Sequence, residues 1–159
     1  MQGREFKVRK GKNMGEQVKG LAHVAFNVSD MDKAIQFYQD VLGFEKAFDL
    51  KNPKTGEPWI VYLYAGGNQF VDLFYGGVNY QEYKDENIGF SHTCLEVGDI
   101  HEIADRIVKA GWVLDSQVSQ GMDMNWQCWT HDPDHNRIEL MQMEADSLQY
   151  QFLREHNLL

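Results

Sequence analysis

The chain repeats itself. Residues 20–28, GLAHVAFNV, and residues 89–97, GFSHTCLEV, share one form: a glycine, then an alternating stretch of the kind that makes a β-strand. Side chains on a strand point to opposite faces in turn. His23, Ala25 and Asn27 therefore share one face and Val24, Phe26 and Val28 the other. In the second copy His92, Cys94 and Glu96 oppose Thr93, Leu95 and Val97. Each strand then runs into a helix pattern. In the first, Asp30 caps a stripe of Met31, Ala34, Ile35, Tyr38, Val41 and Leu42, and Gly43 stops it. In the second, Asp99 caps Ile100, Ile103, Ala104, Ile107 and Val108, and Gly111 stops it.

Three further strand patterns complete each half. They are FEKAFDL, WIVYLYA and QFVDLFY in the first, and WVLDSQV, NWQCWTH and RIELMQM in the second. The sequence thus predicts two β-α-β-β-β modules, residues 20–76 and 89–144, inside one domain spanning 20–144. An N-terminal arm (1–19) precedes this domain. A C-terminal helix within 145–159, capped by Ser147, follows it and packs across a module or subunit edge. At 159 residues and 43% hydrophobic content, the chain is long enough to bury roughly two thirds of its unfolded surface in one unit.

Charge narrows the partners. The first twenty residues hold six of the 15 Lys and Arg but two of the 24 Asp and Glu, so the body beyond them carries a net −13. An acidic body without a basic face argues against nucleic acid. No apolar run approaches the roughly 18 residues that span a bilayer, and no apolar signal region opens the chain, so no membrane partner is expected. Cys94 and Cys128 read as free thiols of a soluble, cytoplasmic protein.

The last strand of each half carries a carboxylate between apolar neighbours: Asp72 in VDLF and Glu139 in IELM. Each points away from the face its neighbours bury. Asp72 lies 49 residues after His23 and Glu139 lies 47 after His92, so two histidines and two carboxylates recur at matched positions. If the halves pack with pseudo-twofold symmetry, all four can meet in one cavity. A lone strand histidine is commonly a hydrogen-bonded core residue and a lone carboxylate commonly pairs with arginine; the repetition of the set tips the reading towards a site. Strand parity puts Phe70 and Phe74 with Asp72, and Arg137 and Met141 with Glu139. Gln127 and Trp129 share one face of their strand, and Tyr62 and Tyr64 one face of theirs. With Cys94, these residues make an aromatic pocket with a few polar groups, suited to a small molecule.

Three segments carry a resemblance: HVAFNVSDMDKAIQFYQDVLGFE, HTCLEVGDI and DPDHNRIELMQ. On these the span 20–143 resembles the vicinal oxygen chelate superfamily, which includes glyoxalase I, extradiol dioxygenases and bleomycin resistance proteins. The resemblance implies an α+β fold of paired modules forming a curved, eight-stranded mixed sheet around a metal. It places the ligands at His23, Asp72, His92 and Glu139. Relatives more often carry Glu or Gln where Asp72 stands, one methylene longer, and Gly where His135 stands in the turn; a turn residue at 135 is expected to be exposed rather than ligating. Two imidazoles and two carboxylates suit Zn, Ni, Co, Mn or Fe(II). Cys94 stands where the first module has Ala25, so it reads as lining. The implied activity is that of a glyoxalase I-like lyase or isomerase. It acts on a substrate with vicinal oxygens through a metal-stabilised enediolate, with Glu139 or Asp72 as the base. An Fe(II) extradiol dioxygenase and a non-catalytic binding or resistance protein are the alternatives, and a homodimer is expected.

Overall fold

The computed structural model describes residues 18–80 and 82–159; the expected arm lies, apart from residues 18 and 19, outside the described residues. The first module comprises β1 (His23–Val28), α1 (Met31–Gln36), β2 (Glu45–Lys51), β3 (Pro58–Gly66) and β4 (Gln69–Tyr75). The second comprises β5 (Thr93–Glu96), α2 (Ile100–Lys109), β6 (Leu114–Gln120), β7 (Trp126–His131) and β8 (Arg137–Gln142). A final helix, α3 (Leu148–Glu155), closes the described chain. The eight strands form two four-stranded mixed sheets, ordered β1-β4-β3-β2 and β5-β8-β7-β6. In each, the first strand runs parallel to the last and lies at the sheet edge. No helix among the described residues is long and apolar enough to cross a membrane.

The predicted caps are all made. Asp30 accepts the backbone N–H of Lys33, Asp99 those of His101 and Glu102, and Ser147 that of Tyr150. Gly43 and Gly111 end the first two helices with φ of +80° and +82°, a conformation that is cheap only without a side chain. The first helix departs from expectation. After Gln36 it widens into a π-turn over Phe37–Val41, closed by Leu42 N–H donating to the Phe37 carbonyl at 3.3 Å. The wider turn lets Phe37, Tyr38 and Val41 all face the core, where a regular helix follows the narrower stripe read from the sequence.

One hydrophobic cluster spans both modules. It takes Phe26, Val28, Val61, Leu63, Val71 and Leu73 from the first sheet, Cys128, Ile138 and Leu140 from the second, and the buried sides of α1 and α2. The modules join through their helices and turns. Phe37 meets Trp112 edge to face at 4.9 Å, and the Tyr38 hydroxyl donates to buried Asp132 at 3.0 Å. Asp132 also accepts the backbone N–H groups of Asp134 and Asn136 and the Asn136 side-chain amide, at 2.8–3.0 Å. Asp134 then accepts Ser29 N–H at the end of β1. The Asp-Pro-Asp turn is thus a staple between modules. His135 within it is exposed, with φ of +62°, as a turn residue should be.

Replacing Tyr38 with Phe leaves a buried carboxylate one donor short, which costs about 1.5–3 kcal/mol for a bond to a charged group. Urea unfolding of Tyr38→Phe against Tyr75→Phe, an exposed control, measures it; equal midpoints refute the staple.

Candidate metal and substrate site

Asp72 sits at the middle of β4 with Val71 and Leu73 turned into the core. Its neighbours in register are Ala25 on β1 and Tyr62 on β3, so the three share one face of the sheet. The His23 ring, more than half exposed, brings Nε2 to 3.8 Å from Asp72 Oδ2. The other oxygen, Oδ1, is buried with no hydrogen-bond partner. Burial pushes the Asp72 carboxyl above its usual range, and the charge of His23 pulls it back in part. Tyr62 stacks on Phe48 at 4.4 Å, and half-buried Phe70 and Phe74 flank Asp72 on β4. Tyr64 lies opposite Phe70, at the exposed end of the hairpin, and its hydroxyl donates to the Gly67 carbonyl.

The second module repeats this arrangement with a tighter pair. Glu139, at 7% exposure, has Cys94 and Trp129 as its register neighbours, matching Ala25 and Tyr62. His92 Nε2 lies 3.2 Å from Glu139 Oε2. β5 is shorter than the sequence implies and begins at Thr93, so His92 stands on the segment just before the strand. Its position there is fixed otherwise: Nδ1 contacts Ser91 Oγ at 3.0 Å, and the ring packs edge-on against Trp129 at 4.7 Å. Ser91 in turn donates to the Tyr83 hydroxyl at 3.3 Å. Neither Ser91 nor Tyr83 was legible as a site residue, because the segment between modules has no periodic pattern that orients its side chains. Gln127 faces Met141 across β7 and β8, on the same side as Trp129 and Glu139. The Cys94 thiol, although the residue is exposed overall, is pushed up to about 12 by partial burial and by Glu139.

The four expected ligands lie in two pairs, one in each module. Among the described residues no three His, Cys, Asp or Glu side chains gather where one ion could hold them. The modules join through helices and turns, and β1 and β5 each lie at the edge of a separate sheet. A groove follows each edge. One, of about 1130 Å³, runs between β1, the linker and the β7–β8 turn; the other, of about 740 Å³, runs between β5 and the β3–β4 turn. They are the same feature in the two modules.

Each pair by itself fits half a metal site. Two ligands sharing one ion at bond lengths of about 2.0–2.2 Å stand roughly 3.0–3.6 Å apart. The observed 3.2 Å of His92 and Glu139 falls within this range, the 3.8 Å of His23 and Asp72 lies just beyond it, and the orphaned Oδ1 of Asp72 is a buried acceptor that a cation would satisfy.

Two βαβββ modules, each with a carboxylate opposite the residue two places after a histidine (Asp72 facing Ala25, Glu139 facing Cys94), make a duplicated α+β fold. The chain belongs to the Glyoxalase/Bleomycin resistance protein/Dioxygenase superfamily, whose sequence profile matches residues 20–140. It is 32% identical over 130 residues to a probable lactoylglutathione lyase of Synechocystis, covering 79% of this chain and 96% of that protein. It is 26% identical over 135 residues to a lactoylglutathione lyase of Neisseria meningitidis, covering 82% and 97%. Its fold matches that of a trypanothione-dependent glyoxalase I from Leishmania major with a TM-score of 0.68 at 21% identity, covering 88% of this chain and 99% of that one.

In metal-free protein the raised Asp72 pKa is a stability cost. A buried acid whose folded pKa lies above its unfolded value weakens the fold once pH rises past both, and costs nothing below both. Asp72→Asn should therefore stabilise chelator-treated protein at pH 7, with the advantage fading as pH falls through the carboxylate range. Thermal melts from pH 4 to 8 test this; an advantage that grows towards acid refutes it.

Proposed function

We propose that this chain is a metal-dependent lyase or isomerase of the glyoxalase I type, acting on a small molecule with vicinal oxygens, and that two copies build each site. The observation that carries the reading is the equivalent register of His23–Asp72 and His92–Glu139. The relatives named lactoylglutathione lyases support the reaction type.

The assembly follows from two of the four sheet edges, those beside the histidines. β1 and β5 each leave one row of backbone groups unpaired, an arrangement that invites another strand. Val78, Tyr80, Ile88 and Phe90, all more than 60% exposed, lie along the groove beside β1. A second copy related by a twofold axis sets its β5 edge against this chain's β1 edge, covers those side chains, and brings its His92 and Glu139 to this chain's His23 and Asp72. One chain then supplies half of two sites.

A divalent ion in such a site would bind the substrate's vicinal oxygens and stabilise charge developing on them. The chain's residues do the rest. Asp72 or Glu139, both nearly dry, would take a proton from the carbon beside those oxygens and return it. Ser91 fixes the His92 ring, Trp129 and Tyr62 wall the two half-sites, and the protonated Cys94 thiol adds bulk without charge.

Subunit mixing tests metal, site and assembly together. His23→Ala and His92→Ala should each lose most of their bound metal and their conversion of the methylglyoxal–glutathione adduct. Refolded as an equimolar mixture, they should recover about a quarter of the wild-type sites, because half of the dimers are mixed and each holds one intact site. Metal content per chain and sizing at micromolar concentration read the outcome. No recovery from a mixture that dimerises refutes the shared site, and steady oxygen uptake with catechols in place of adduct conversion makes the chain a dioxygenase.

A further inference from the structure

Arg137 is a cation held in place with no charge partner among the described residues. Its guanidinium carbon lies 4.2 Å from the Tyr83 ring centre and 4.8 Å from that of Trp129. None of the ion pairs among the described residues includes it. The acids nearest to it along the groove are engaged elsewhere: Asp134 by Ser29 N–H, Glu82 by Lys84 at 3.9 Å. Across the strands His131, its register partner, is held by Asp115 at 2.9 Å. Two aromatic rings stiffen the side chain but offer poor acceptors for its five N–H donors. Ordering a long side chain costs rotamer entropy, and a rigid unpaired guanidinium suits a ligand that brings its own oxyanion.

Its position links it to the half-site. Trp129 is a shared wall, with His92 on its edge and Arg137 at its ring. Arg137 precedes Glu139 by two residues on β8 and so points to the same side of the sheet, about 7 Å away along the strand. We infer that Arg137 is an anion subsite on the Glu139 side of the sheet, and that the substrate carries a carboxylate besides its vicinal oxygens. This rests on the proposed metal site only for where the vicinal oxygens lie.

Two hydroxamates of equal length test it, because each presents two vicinal oxygens. One ends in a methyl group, the other in a carboxylate. They are titrated into Zn²⁺-loaded protein by calorimetry, and glutarate is titrated into chelator-treated protein by tryptophan fluorescence. Wild type should bind the carboxylate form about 10-fold or more tightly than the neutral one, the worth of one charge-assisted pair. Arg137→Gln should abolish that preference while binding the neutral hydroxamate as before, and Arg137→Lys should keep part of it. Glutarate should quench the wild type and not Arg137→Gln. Equal affinities in wild type, or a preference that survives Arg137→Gln, overturn the inference and leave the metal site standing. If neither hydroxamate binds but glutarate quenching still depends on Arg137, the metal reading falls and the anion subsite stands. If glutarate is silent as well, the subsite falls too.

Discussion

The arrangement of this molecule hangs on one dry carboxylate. Asp132, fully buried, takes donors from its own turn and one from Tyr38 of the other module. A buried anion with even one donor missing is costly, so the turn and the first helix must meet in one geometry. Burial pushes the Asp132 carboxyl up while its donors hold it down, and burial, with the neighbouring Asp132 charge, raises the Tyr38 hydroxyl well above its usual value. The π-turn belongs to the same constraint, since it swings Tyr38 and Phe37 inward together. Once the modules are docked by these elements, the strand edges bearing His23 and Cys94 are left without partners.

That consequence turns a folding solution into a functional one. Sheet edges that are open and lined with apolar side chains are usually a hazard. Here each edge lies beside a histidine and a nearly dry carboxylate. Asp72 pays in stability for its position, with one oxygen unmatched. The second module is the more finished half: its pair is closer, and Ser91, Tyr83 and Trp129 restrain its histidine, while His23 stands exposed.

The strands, the caps and the two helix stops were legible in the sequence because they depend on local rules. Alternation placed His23 and Cys94 outward and Phe26 and Val28 inward; Asp30, Asp99 and Ser147 capped as their side-chain chemistry requires. The paired positions of Asp72 and Glu139 were visible too, since a duplicated unit repeats its spacing. What stayed hidden were contacts whose partners lie far apart in the chain. Asp132 reads as a turn residue until Tyr38, 94 positions earlier, is found beside it. Ser91 and Tyr83 sit in a segment without period, and nothing local points them at His92.

By itself, then, the sequence determined the modules, their duplication and the side of each sheet on which the polar residues lie, because period and capping act over a few residues. Only the tertiary structure decided that the two histidine–carboxylate pairs stay separate, one in each module. That depends on which surfaces of the modules dock, a choice made by burial summed over both cores and by one shared carboxylate, and no local pattern encodes it.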